Sequence, residues 1–225
     1  SELRLVSEGA LLSGEVAFEA DGKTFKKANF TRLKLGETDV KFFADKLKDG
    51  SYSIKVTGKQ FDASRLVKGD DTPNNDEEAA KAVAPLSVSM TVDRLMTGKD
   101  KHIERLKMNM RRNGWARIEQ LEVDGISGGQ PLTLRYLPVP QGHTLRFEAT
   151  NAGAALRAFG ISNAVRNGKL VVTAQPKQKS GPRDLAGTIV LTDFALVDVP
   201  VLGRLLNALS LPGIVDLLNG SGVSF

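Results

Sequence analysis

The residue types that do most acid–base and metal chemistry are scarce in this sequence. The chain has 225 residues, two histidines and no cysteine. Without cysteine there is no disulfide, no thiolate zinc site and no cysteine nucleophile. His102 lies in a basic stretch and His143 follows the turn "PVPQGH". Neither has partners at a recurring spacing, so both read as ordinary surface or turn histidines rather than ligands or bases. "DDTPNND" at 70–76 superficially resembles a calcium loop. It lacks the central glycine and the closing glutamate, and Pro73 intrudes, so it reads as a solvated linker. "GISGG" at 125–129 has neither the Lys-Ser/Thr nor the helix that a phosphate cradle needs, and reads as a loop between strands. Asn29-Phe30-Thr31 fits the glycosylation pattern but falls within a strand-like run. No catalytic or metal constellation emerges, so the expectation is a non-enzyme without cofactor.

The most cationic region is "KDKHIERLKMNMRR", with Lys99, Lys101, Arg105, Lys107, Arg111 and Arg112. On a strand, Arg105 and Lys107 point away from Met108 and Met110, which predicts a solvated outer face. Sharper readings are contact with anionic lipid headgroups or with nucleic acid. Nucleic acid is disfavoured, because one Trp and two Tyr offer few stacking platforms. The net charge of +5 is a modest excess that favours anionic surfaces without demanding them. Hydrophobic content of 41% and charged content of 25% are those of a globular chain.

Alternation dominates the sequence. Apolar residues recur every second position at Val40, Phe42 and Ala44, at Tyr52, Ile54 and Val56, and at Leu86, Val88, Met90 and Val92. The pattern continues at Leu106, Met108 and Met110, at Leu132, Leu134 and Tyr136, at Leu145, Phe147 and Ala149, and at Leu170, Val172 and Ala174. Leu12, Val16 and Phe18 fall two or four apart. Period two gives each strand one apolar and one polar face. Asp21-Gly22, Asp49-Gly50, Asn113-Gly114 and Asn167-Gly168 lie between such runs and predict type I′ hairpin turns, hence an antiparallel meander. "LKLGETDVKFFADKLKDGSY" and "LMTGKDKHIERLKMNMRRNGW" share a plan of strand end, glycine, strand, Asx-Gly and aromatic (Tyr52 or Trp115), about sixty residues apart.

Helices interrupt this pattern. Asn75 or Asp76 could cap a short one over Glu77 to Val83, before Pro85. "NAGAALRAFG" has Asn151 as N-cap, Leu156 and Phe159 on one face and Gly160 as its stop. In "DVPVLGRLLNALS", Leu202, Leu205, Leu206 and Leu209 form a stripe; in "SLPGIVDLLNG", Ile214, Leu217 and Leu218 face one way. Arg204 and Asp216 limit the uncharged run here to 11 residues, well short of the roughly 20 needed to span a bilayer.

From Asn151 on, "NAGAALRAFGISNAVRNGKLVVTAQ" and "LAGTIVLTDFALVDVPVLGRLLNALSLPGIVDLLNGSGVSF" resemble the C-terminal region of bacterial AsmA-like proteins, the family of YhdP and TamB relatives. Upstream, "RLKLGETDVKFFADKLKDGSYSIKVTGKQFDASRL" is similar to the family's repeated strand-turn-strand units. The resemblance implies a periplasmic protein anchored in the inner membrane by an N-terminal helix. It implies antiparallel strands curled into a taco-like trough with an apolar lining, which conducts phospholipid between inner and outer membranes or aids outer-membrane assembly. Two features depart from the family pattern: the sequence has no anchor helix, and it stops at Phe225 where the pattern continues. The expectation is a piece of a longer protein.

The expected fold is mainly β, with antiparallel hairpin repeats in a curled, taco-like or sandwich-like sheet and short amphipathic helices near the C-terminus. The expected division is a first repeat region at 1–67, a polar linker at 68–84, a second repeat region at 85–150 and a helix-strand-helix-helix part at 151–225, all packed as one β unit. The groove candidates are Leu35, Val40, Phe42, Tyr52, Ile54, Val56, Val88, Met90, Leu106, Met108, Met110, Leu132 and Leu134. The leucine-rich helices are expected to cap one end of the sheet. Period two fits both an open lipid groove and a closed core. A phospholipid partner is the first expectation; a non-catalytic module docking another envelope β-protein is the alternative.

Overall fold

The computed structural model describes residues 2–7, 10–64, 83–114, 117–176 and 185–197. Twelve strands form one sheet in chain order. They are β1 (Glu2–Ser7), β2 (Ala10–Phe18), β3 (Phe25–Leu35), β4 (Thr38–Lys46), β5 (Tyr52–Asp62), β6 (Leu86–Gly98), β7 (Lys101–Arg112), β8 (Ile118–Ser127), β9 (Gln130–Val139), β10 (Gly142–Ala149), β11 (Val165–Pro176) and β12 (Leu185–Leu196). Among the described residues one short helix, α1 (Ala152–Ala158), stands between β10 and β11. The mainly β expectation holds, in the form of one curled layer whose end strands do not pair into a barrel. No helix among the described residues is long and apolar enough to cross a membrane.

One pairing departs from the expected meander. β5 and β6 run parallel, with Tyr52 opposite Leu86 and Val56 opposite Met90. Parallel neighbours need a long crossover, and the segment joining these two is the polar stretch before Pro85. The helix expected over 77–83 lies outside the described residues except at Val83. Val83 is not helical there and donates its N–H to the Gly114 carbonyl at 2.8 Å. The leucine-rich helices of 198–220 and Trp115 also lie outside the described residues.

The turns show how the sequence makes its reversals. Between β2 and β3, Asp21 Oδ1 accepts from the N–H groups of Lys23 (2.9 Å) and Thr24 (2.8 Å), while its Oδ2 accepts from the Thr24 hydroxyl at 2.5 Å. Asp49 Oδ1 does the same for the Ser51 N–H at 3.0 Å and hydroxyl at 2.6 Å. In both turns only the glycine takes positive φ, 66° at Gly22 and 82° at Gly50. These are longer loops closed by an Asx bond, not the expected type I′ pairs. The two-residue reversal with both φ positive is Gly128-Gly129, joining β8 to β9. Asn167-Gly168 is not a turn at all. It lies inside β11, where φ of 54° and 82° interrupt the ladder at Gly168 across from Asp193 (φ 55°) in β12, with the register unchanged on either side. The β11 backbone bends there over α1, whose Gly153 leaves no room for a side chain beside the Val165 carbonyl.

The Asp21 carboxylate is held at about 2, below its ordinary 3.8, first by the Thr24 hydroxyl bond and then by the Thr24 and Lys23 N–H bonds. A depressed carboxylate pKa supports the native turn above the unfolded value, and that support is lost as pH falls through the folded one. NMR titration is expected to place the Asp21 midpoint near 2, and Thr24→Val to move it up towards the ordinary value.

Candidate functional site

The sheet puts its alternating apolar residues on one concave face. Cross-strand registers join them into continuous rows. One row runs Phe30–Phe42–Val56–Met90 over β3 to β6. It continues through Met108, Val123, Leu134 and Phe147 to Val172 and Ile189 on β12. The opposite face carries the charge. There Arg135 bonds Asp124 at 2.5 Å and lies 3.8 Å from Glu122, and Arg146 pairs with Glu148.

The two ends of this face differ. At one end α1 fills the concavity, lying against β11 and reaching β7, β8 and β12. The local sequence specifies the plug. Asn151 accepts the Ala154 N–H at 3.0 Å as N-cap. Gly160, at φ 73°, ends the helix, with the Ile161 N–H returning to the Leu156 carbonyl at 2.8 Å. The buried Thr97 hydroxyl on β6 donates to the Ala158 carbonyl and ties the helix to the sheet. Phe159 meets Phe147 edge to face at 5.8 Å. Around this plug Ile103, Leu106, Leu132, Leu145, Leu156 and Leu170 are all essentially inaccessible.

At the other end no described residue covers the concave face. A cavity of about 520 Å³ lies between β2 and β7, walled by Val16, Phe25, Ala28, Phe30, Phe42, Ala44, Tyr52, Ile54, Ala84 and Leu86, with Arg112 as its one charged lining residue. Phe30 and Phe42 are tilted at 6.3 Å and Phe25 and Tyr52 at 5.9 Å, so aromatic rings form much of the wall. The size and apolar lining are those of a small-ligand pocket.

The sequence-predicted residues divide between these ends. Phe42, Tyr52 and Ile54 line the cavity. Val40, Val56, Met90, Leu106 and Leu132 lie in the buried core, and Val88, Met108, Met110 and Leu134 are half-buried. Leu35 is a correction: it is 64% exposed, because β3 ends there at the turn through Gly36. The cap candidates Leu202, Leu205, Leu206, Leu209, Ile214, Leu217 and Leu218 lie outside the described residues.

Phe25, Ala28 and Phe30 were not legible as pocket residues. Bulges between Ala17 and Phe18 and between Phe30 and Leu33 break the period of β3. Arg112 was grouped with the outer-face cations, and the structure turns it inward. It pairs with Leu86 and lies two residues beyond Met110 on the inward-facing series, a parity that the alternation itself contained.

Among the described residues no group of three or more His, Asp or Glu side chains could hold a metal ion. His143 stacks on Tyr136 at 4.6 Å, and burial pushes the Tyr136 phenol up. His102 lies 3.3 Å from Glu104. Comparison with known proteins finds no matching family model, no matching curated protein and no matching solved structure.

Proposed function

We propose that this chain binds phospholipid acyl chains along its concave β face, as part of an inner-membrane-anchored periplasmic protein that moves lipid between inner and outer membranes. The observation that carries the reading is the apolar cavity between β2 and β7, continuous with the apolar rows of a sheet that, among the described residues, is filled at its α1 end. Transferring acyl chains needs an apolar path and a polar rim rather than a catalyst. The AsmA-like resemblance supplies the membrane context and supports the same assignment.

A charge introduced into the open end separates a groove from a packed core. Phe42 is half-buried on the cavity wall, so Phe42→Asp can hydrate its carboxylate and is expected to keep the fold while abolishing binding of a lipophilic fluorescent probe. Leu106 is 1% exposed, so Leu106→Asp is expected to unfold the chain. Circular dichroism and probe titration read the two outcomes. Unfolding by both substitutions would mark the whole face as ordinary core.

The alternative is a non-catalytic module that docks another envelope β-protein by strand addition. It is favoured by β12, the last strand of the sheet among the described residues, on which Val190 and Phe194 are 45% and 41% exposed. Loss of partner capture by a proline in β12, with probe binding intact, would select it.

A further inference from the structure

We propose that Arg112 anchors the headgroup of the bound lipid. Its guanidinium would pair with the phosphate of an anionic phospholipid whose acyl portion lies on the apolar wall between β2 and β7. This rests on the acyl-binding reading above and adds the polar half of the ligand.

Three observations converge on Arg112. It is the charged residue in a lining that is otherwise apolar, apart from the Tyr52 hydroxyl. Its register partners are Leu86 on β6 and Ile118 on β8, so it is held on the inward side of the sheet at the mouth of the cavity. Its Nε is buried and has no hydrogen-bond partner among the described residues. No acidic side chain among the described residues forms an ion pair with it. Lys46 provides the contrast: it stands opposite Tyr52 on the neighbouring rim and lies 3.9 Å from the Glu19 carboxylate.

A buried donor without a partner is costly, and folded chains retain few of them. Cost without structural gain is the expected signature of a group kept for a ligand. A guanidinium offers a planar fork of donors suited to two oxygens of one phosphate, and it is more weakly hydrated than an ammonium. The surrounding apolar wall strengthens such a pair. It also selects a ligand with a long apolar portion, which free phosphate lacks.

The test compares phosphatidylglycerol and diacylglycerol carrying the same fluorescent acyl label, titrated into the whole chain. The phospholipid is expected to bind about tenfold tighter or more, the usual effect of one charge-assisted bond. Arg112→Leu is expected to remove that preference, and Arg112→Lys to keep part of it. The thermal midpoint of Arg112→Leu is expected to stay level or rise. A preference that survives Arg112→Leu, or a clear fall in its thermal midpoint, overturns the proposal. Displacement of the labelled lipid by inorganic phosphate alone would make this a free-phosphate site, and tighter binding of a labelled fatty acid would make it a carboxylate site; either overturns the assignment to phospholipid. Failure of both labelled lipids to bind overturns the acyl reading and the anchor together. Equal binding of the two lipids overturns the anchor alone.

Discussion

Leu156→Ala is expected to cost about 2–5 kcal/mol of stability, the range for truncating a fully buried leucine. In a chain of this size that corresponds to a fall of about 5–15 °C in thermal midpoint. Leu156 is 1% exposed and belongs to the core cluster at the plugged end. The walls around it cannot easily collapse. β10 and β11 are held by their ladder, and α1 is fixed at both ends, by the Asn151 cap and by the Thr97 bond to Ala158. A cavity left there stays open, so the cost should lie towards the upper part of the range. Differential scanning calorimetry of the two chains measures it. A loss below 1 kcal/mol would mean that α1 is a loosely seated lid rather than a plug.

Gly58→Ala is the second large effect, and it probes the curl of the sheet rather than its filling. A Cβ at Gly58 would fall 2.5 Å from the Asp39 carbonyl oxygen and 2.6 Å from Val40 Cα. Both are backbone atoms, so relief requires β4 and β5 to part where their register already shifts, between Asp39 and Val40. Forcing even a methyl into such a contact typically costs about 1–3 kcal/mol, occasionally more. Gly187 is crowded by backbone in the same way, against the Thr173 carbonyl and Ala174 Cα, consistent with glycine permitting close approach of neighbouring strands. Gly98→Ala is the control, since the nearest atom there is the end of a flexible Lys101 side chain at 3.5 Å. Urea unfolding should show a clear fall in midpoint for Gly58→Ala and little change for Gly98→Ala. Equal midpoints would contradict the close approach.

The strands were legible wherever one face is buried without interruption. Leu86 to Val92 and Leu132 to Tyr136 alternate because every second side chain must enter the concave face. Bulges hid the rest. Arg105, at φ 48°, inserts an extra residue between Ile103 and Leu106, both of which face inward, so the alternation fails there. The same effect concealed Ala28 together with Phe25 and Phe30, which are half of the aromatic wall. Turn chemistry was legible as position but not as type at Asp21-Gly22 and Asp49-Gly50. At Asn167-Gly168 it misled, because Asn-Gly tolerates positive φ within a strand as well as in a hairpin. The parallel β5–β6 pair had no local signature, because a crossover is a property of the connection and not of either strand. α1 was fully legible, since its cap and stop are local. Arg112 was misread because charge was weighed above parity.

Native mass spectrometry of the chain purified from a bacterial host reads lipid on the concave face without a label. If that face binds lipid as proposed, the spectrum shows a protein mass carrying bound phospholipid, lost in Phe42→Asp at unchanged circular dichroism. A lipid-free mass for the unaltered chain, together with no binding of a lipophilic probe, would contradict that proposal.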